Sequence, residues 1–582
     1  MKEESRNLVL AVVLSAIVLF GWQFLAERYF LPPPPPPPAA EAPAPAVAPS
    51  AATDGPLVPE AAIPAPAAPA VGLAPKTVAQ ALAASPRVPI RTPRLSGSIN
   101  LVGARIDDLV LTDHRTGLVP NAPPVRLFAP SPGPGAYFAG FGWAGPGAPP
   151  ADARWTPSGD VLAPGRPLTL SWTSPAGVTF EIRLEVDENF LFTATQRVVN
   201  GSGGAVAVRP YGFVNRTGTG PERDAFNLHV GPIAVIDGRL LESDISYDRL
   251  RERGPQTFRT TGGWLGITDK YWLAALIPDQ KQPLDVRFTH AAEGDRFQTD
   301  FVAPAELVAP GAAAESRAHL FAGAKEVDLL NRVRDELGAP LFDRALAWGW
   351  FWFIAQPIFR LLSFFHGLFG NWGLAIIGLT LVVRLLLYPI ANRQYASMAK
   401  LKVFAPKMKE IQERYKDDKV RQQQELMELY RREKINPLAG CLPILLQIPI
   451  FYALYKTLLI AIEIRHQPLG LWIRDLSAPD PLTPLNLFGL LPFQPPAVIA
   501  VGILPILLGV TMWLQFRLNP TPMDEVQKLV FSWMPWIFMF LMAPFAAGLQ
   551  LYWIVNNIVS IAQQWWLNRK YASPAPAPSG GK

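Results

Sequence analysis

Residues 529–568 are forty consecutive positions without one charged side chain. As a single helix they would run ~60 Å, about twice the ~30 Å hydrocarbon core of a bilayer. Such a stretch has to turn back on itself, and Pro544-Phe-Ala-Ala-Gly548 is its turn signal. Two membrane crossings are therefore expected there. Three further runs have the same character: 372–390 (WGLAIIGLTLVVRLLLYPI), 441–462 (CLPILLQIPIFYALYKTLLIAI) and 497–516. Pro443 and Pro449 inside the second run are tolerable in lipid only where neighbouring helices satisfy the freed carbonyls. A bundle with a five-span helical core follows.

The rest of the 582 residues cannot all be bundle. Charged residues make up 17% and mean hydropathy is +0.17, which fits a membrane protein carrying a soluble portion. Residues 8–25 form an uncharged run preceded by Lys2 and Arg6. It is longer than the ~7–15-residue apolar core of a cleaved signal peptide, so residues 1–30 read as an uncleaved anchor. Seven prolines, 32–38, open an Ala/Pro-rich spacer over 31–88 that favours extended polyproline II. From 89 to 340 the texture changes to short strands between Gly/Pro turns. Residues 178–186 (VTFEIRLEV) alternate apolar and polar without a fault, and 168–172 and 190–194 continue the pattern. An all-β sandwich is expected, closed by a charged helix at 325–337.

Nothing in this domain points to an enzyme. His114, His229, His290 and His319 are scattered, and HExxH, GxSxG and GxxxxGK motifs are missing. The single cysteine, Cys441, excludes an internal disulfide and cysteine-ligated metal sites. No cofactor is expected, and the domain reads as a binding or scaffolding module.

Within 341–371 the aromatic stretch 348–369, broken by Pro357, suits a helix lying in the membrane interface. The span 372–391 follows, then a polar insert, 392–437, with twelve Lys/Arg against seven Asp/Glu. Met398, Leu401, Phe404, Met408, Ile411 and Tyr415 recur at helical spacing, residues 416–419 (KDDK) turn, and Val420, Met427 and Tyr430 mark a returning helix. This helical hairpin carries the positive-inside signal and is placed in the cytoplasm. The other four spans occupy 438–568 and a short tail 569–582, giving six crossings with the anchor, both termini inside and the sandwich outside, in a periplasm.

Polar residues within the five spans are few: Thr380, Arg384, Gln447, Thr457, Thr511, Gln515, Ser532, Gln550, Asn556, Asn557 and Ser560. A lone guanidinium at Arg384 costs at least ~2.5–3.5 kcal/mol in the bilayer unless it faces water or a partner. It either snorkels to the nearer interface or is the fixed charge of a wet groove. For Gln447 and Asn556 the plainer alternative is helix–helix hydrogen bonding. No carboxylate lies well inside a span and no nucleotide motif exists, which excludes an ion-driven or ATP-driven pump. A passive, positively charged groove remains, with a carrier or channel for small anions as the rival. That rival would show inverted repeats, and none is visible.

The stretches Thr380-Leu-Val-Val-Arg384, Tyr388-Pro389, Gln394-Tyr-Ala-Ser-Met-Ala-Lys400, Pro406-Lys407 and Lys434-Ile-Asn-Pro-Leu-Ala-Gly-Cys-Leu-Pro443 resemble the Oxa/Alb/YidC superfamily of membrane protein insertases. So do Gln447-Ile-Pro-Ile-Phe451, Leu471-Trp-Ile-Arg-Asp-Leu-Ser477 and Leu551-Tyr-Trp-Ile-Val-Asn-Asn557. The likeness covers roughly 345–570, while Gly263-Trp264 and Lys270-Tyr271-Trp272 in the outer domain fit the Gram-negative form. The resemblance implies an inner-membrane insertase and assembly chaperone, acting alone or with the Sec translocon on nascent membrane proteins. It implies a substrate groove at Arg384, Thr380, Gln447 and Asn557, with Asn556 beside them. It implies a slide at Tyr552 and Trp553, faced by Pro449 and Ile450, where the tryptophan stands for a second tyrosine of familiar members. The hairpin with Lys400, Lys407, Tyr415, Asp417 and Asp418 would receive the substrate. The outer domain would contact the Sec accessory machinery. Some relatives end in a long basic tail that docks the ribosome; this chain ends Ala572-Ser-Pro-Ala-Pro-Ala-Pro, so ribosome contact would fall to the hairpin. No direct nucleic-acid partner is implied.

Overall fold

A computed structural model describes residues 77–570 except 120, 134, 222–227, 417, 434–441, 489, 492–499 and 519–524. The anchor, most of the spacer, Asp417 and the tail beyond Lys570 lie outside the described residues. The end of the stretch read as spacer is already folded. A capped helix α1 (Val78–Ala83) precedes the first strand, Arg87–Arg91.

The outer domain is two antiparallel sheets face to face. One has ten strands and runs from Arg87–Arg91 at one edge to Gln256–Thr261 at the other. The other has nine and runs from Arg239–Leu241 to Thr156–Pro157. The strand Val178–Val186 buries every second residue, as its alternation requires. Helix α2 (Tyr247–Arg253) packs its Tyr247 and Leu250 into the core. The hairpin of Trp264–Thr268 and Trp272–Ile277 is buried on both faces, so it shows no alternation.

That buried hairpin is where the two halves of the molecule meet. Helix α3 (Val327–Leu337) follows the last strand, shows its polar face outward and buries Val327, Leu329, Leu330 and Val333. Buried Lys325 ties the joint by donating to Thr268 Oγ1 at 3.0 Å and to the Ala345 carbonyl at 3.2 Å. The Trp264 indole donates to the Pro340 carbonyl at 2.9 Å. From the membrane half, Glu463 reaches across. Its Oε1 accepts the Val327 amide at 2.8 Å and so caps the start of α3, which has no cap of its own. Arg465 lies over the rings of Tyr271 and Trp272 at 5.4 and 5.6 Å.

The helical half begins with α4 (Trp352–Phe369), which carries Pro357 and exposes Phe364, Leu368 and Phe369. Asn371 then caps α5 (Trp372–Arg414). At 43 residues α5 is ~65 Å long, and the first span and the first arm of the hairpin are one continuous helix. Helix α6 (Lys419–Arg432) is the returning arm, with Asp418 as its cap. Then come α7 (Leu442–Ile460), α8 (Ile503–Leu518), α9 (Glu525–Met542) and α10 (Ala547–Lys570). Among the described residues, Trp372–Gln394 alone is both long and apolar enough to cross a membrane by itself; Leu446–Ile460, Ile503–Leu518 and Leu529–Met542 are apolar but shorter. The uncharged forty residues do turn where the sequence signals, between Met542 and Ala547. Buried Gln550 holds that turn, donating to the Met542 and Phe545 carbonyls at 2.9 and 2.8 Å.

Candidate functional site

Helix α10 packs against α5, α7 and α8, and its face toward α5 and α7 carries Tyr552, Asn556 and Ser560 at intervals of four. Three polar residues at that spacing form one line down the helix. Arg384 of α5 meets this line. Its Nε donates to Asn556 Oδ1 at 2.7 Å, and a terminal guanidinium nitrogen lies 3.4 Å from the Asn556 carbonyl. Ser560 Oγ donates to the same carbonyl at 2.5 Å. Arg384 is half-buried, whereas Asn556 and Ser560 are buried. The guanidinium is thus drawn inward to a neutral amide, not splayed along the surface toward an interface.

One turn nearer the outer side, Tyr552 is fully buried and its hydroxyl accepts a hydrogen bond from Gln447 Nε2 of α7. The plainer alternative for Gln447 and Asn556 thus describes real bonds, and those bonds join three helices around one cation. Asn557, on the next face of α10, donates to Thr511 Oγ1 of α8 at 3.1 Å. Thr380 is buried, and its hydroxyl donates to the Ile376 carbonyl of its own helix at 2.7 Å. Of the five expected groove residues, Arg384, Asn556 and Gln447 come together through α10; Thr380 and Asn557 serve helix geometry and packing.

The expected slide divides as well. Tyr552 is fully buried and bonded to Gln447. Trp553 is half-buried, with Phe451 of α7 and Phe538 of α9 both 5.3 Å from its ring. Pro449 and Ile450 are likewise half-buried on α7. In the hairpin, Lys407 is exposed with its ammonium 5.6 Å from the Phe404 ring, Tyr415 ends α5 beneath Arg421, and Asp418 accepts the Arg421 amide. Lys400 lies in α5, but its side chain is outside the described set.

Two residues escaped sequence reasoning. Ser560 stood among the polar positions without a role, although its spacing from Asn556 and Tyr552 is the signal for one face. Lys456, on α7, is a second cation in the apolar helices, 3% exposed near the outer end. A run of apolar neighbours conceals it from any averaged hydropathy. Among the described residues no cluster of His, Cys, Asp and Glu is arranged to hold a metal.

Comparison with known proteins bears on both halves of the chain. Residues 87–361 match the family described as YidC periplasmic domain, and 364–574 match the 60Kd inner membrane protein family. The membrane protein insertase YidC of Zymomonas mobilis is 44% identical over 579 residues, covering 98% of this chain and 96% of that protein. That of Rhizobium meliloti is also 44% identical, over 97% of this chain and 95% of its own length. A solved structure of an active YidC insertase with its first transmembrane domain resolved covers 82% of this chain and 94% of its own, at 18% identity and a TM-score of 0.36. With near-end-to-end identity to such relatives and both family matches in order, the chain belongs to the YidC family of membrane protein insertases.

Proposed function

We propose that this insertase works through a passive groove whose fixed charge is Arg384, held on α10 by Asn556. The observation that carries the reading is the half-buried guanidinium of α5 bonded to the neutral Asn556 amide of α10. A cation so held keeps its charge available to water and to an incoming acidic segment. The polar part of a nascent membrane protein enters near Arg384, which shortens its path through the low-dielectric region. Its apolar helix then leaves along Trp553, Ile450 and Pro449 into lipid. Hydrophobic transfer of the substrate helix drives the step, and the membrane potential assists acidic segments.

The chain sits in the inner membrane with the hairpin and both termini in the cytoplasm. The hairpin with Lys407, Tyr415 and Asp418 is the first contact for substrate and for any ribosome. The outer domain meets the Sec machinery. The domain limits follow from the same reading: anchor 1–30, spacer 31–88, sandwich 89–340, interfacial helix 341–371, first core span 372–391, hairpin 392–437, four further spans 438–568 and tail 569–582.

The test compares Arg384→Ala with Arg384→Lys in cells depleted of the native protein, reading insertion of a two-span client with an acidic translocated segment. Alanine is expected to fail and lysine to retain part of the activity, because an ammonium keeps the charge but not the Nε bond to Asn556. Normal insertion by the alanine variant would remove the charged groove from the account.

A further inference from the structure

The connection from α7 to α8 loses all charge after Asp480: residues 481–516 contain none. That is expected of the helix but not of the loop before it. The loop tip presents Leu485, Leu487, Phe488, Leu490 and Leu491 outward, with Leu490 83% exposed. Leu487 and Phe488 both take left-handed backbone, at φ 50° and 58°, a conformation large apolar residues rarely adopt. Such outliers persist where something outside local preference favours them.

Five amides of the tip find acceptors within the tip itself. The Leu487 amide donates to the Pro484 carbonyl, Phe488 to Thr483, Leu490 to Leu487 and Leu491 to Asn486, while Leu485 donates to Thr483 Oγ1. Self-satisfied backbone with apolar side chains outward is what a segment needs to leave water for lipid. The base of the loop is pinned by Asp480. Its carboxylate accepts the Leu482 amide, the Trp472 indole at 3.0 Å and, at 2.7 Å, the Leu504 amide in the first turn of α8. The tip therefore stands beside the end of an apolar helix. A second exposed apolar side chain, Leu471 at 91%, sits in the turn whose Pro468 and Leu469 carbonyls accept from Asn371 at the corner of α4 and α5.

We propose that the loop tip formed by Leu485, Leu487, Phe488, Leu490 and Leu491 inserts into lipid and seats the outer end of the bundle in the outer leaflet of the bilayer. The inference rests on the bundle lying in the membrane with the α7–α8 connection on its outer side. A protein partner of the usual kind would leave a polar rim around an apolar centre; this tip has no charged residue after Asp480 to supply one.

The experiment uses the full chain with Cys441→Ser, reconstituted in vesicles of phosphatidylethanolamine and phosphatidylglycerol. Nitroxides are placed by Phe488→Cys, Leu490→Cys and, separately, Leu471→Cys, with exposed Arg474→Cys as the aqueous reference. The ratio of oxygen accessibility to nickel-chelate accessibility reads immersion in lipid. At 488 and 490 the ratio is expected to exceed that at 474 by about tenfold, with 471 intermediate or higher. Equal ratios at 488, 490 and 474 would overturn the proposal. Exclusion of both probes at the tip would also overturn it, since protein or a second copy would then cover the loop. Adding Arg384→Ala should leave the ratios unchanged, so the groove and the lipid tip fail independently.

Discussion

Arg384 and Asn556 act as a pair, and their chemistry sets how each should respond to change. Removing the amide in Asn556→Ala takes away one hydrogen bond to a charged group, about 1.5–3 kcal/mol, without removing the charge. Insertion of the acidic two-span client should slow by roughly tenfold, less than for Arg384→Ala. Asn556→Asp should be worse than alanine, because a carboxylate at 2.7 Å from Nε would neutralise the guanidinium and repel an acidic segment. Insertion rates at matched protein levels decide the order; an aspartate variant faster than alanine would contradict it. The arginine was legible in the sequence because a guanidinium in an apolar run has few explanations. Asn556 was among the expected groove residues, but its pairing with Arg384 was not legible, since which α10 residue faces α5 depends on the relative rotation and depth of two helices. Thr380 shows the converse: it lies one turn from Arg384, yet its hydroxyl is spent on the Ile376 carbonyl.

At the scale of elements, the legible parts were those governed by one local rule. The strand Val178–Val186 follows from alternation, the turn after Met542 from length against membrane thickness, and α6 from its apolar seam and the Asp418 cap. The hairpin of Trp264–Thr268 and Trp272–Ile277 obeys no single-face rule because both its faces are covered, one of them near the joint with the helical half. The unbroken length of α5 was hidden as well: the change from apolar to charged residues near 391 marks the edge of the span, and the helix continues through it. The turn between α9 and α10 depends on Gln550 more than on its proline. Gln550→Ala should leave the Met542 and Phe545 carbonyls without their donor in a buried site, a loss of about 1–3 kcal/mol visible as a lower unfolding temperature in detergent. An unchanged transition would mean that the turn is held by packing alone.

Across the whole molecule, one carboxyl links the outer domain to the bundle. Burial pushes the Glu463 side chain up to about 7, and Glu326 and Asp328 push the same way, while the bond from the Val327 amide pulls it down. In the unfolded chain the group titrates near 4.5, so the joint is at its full strength below that pH. It weakens as pH rises from about 4.5 to about 7, where the unfolded chain has lost the proton that the folded one still holds, and changes little above that. Amide exchange at Val327–Leu330, corrected for its intrinsic pH dependence, should accelerate from about pH 4.5 to about pH 7, level off above it, and lose that response in Glu463→Gln. A wild-type profile as flat as the glutamine variant's would dissociate this carboxyl from the joint. Helix α5 joins the two ends of the molecule in another sense. Because one rod of ~65 Å carries both Arg384 and the hairpin arm, it works as a lever with the cation near its fulcrum. A load applied at Arg414 would act through the thirty residues, about 45 Å, that separate it from Arg384 on the same helix, and Pro389, which removes one backbone hydrogen bond between them, sets how stiffly that load is passed on.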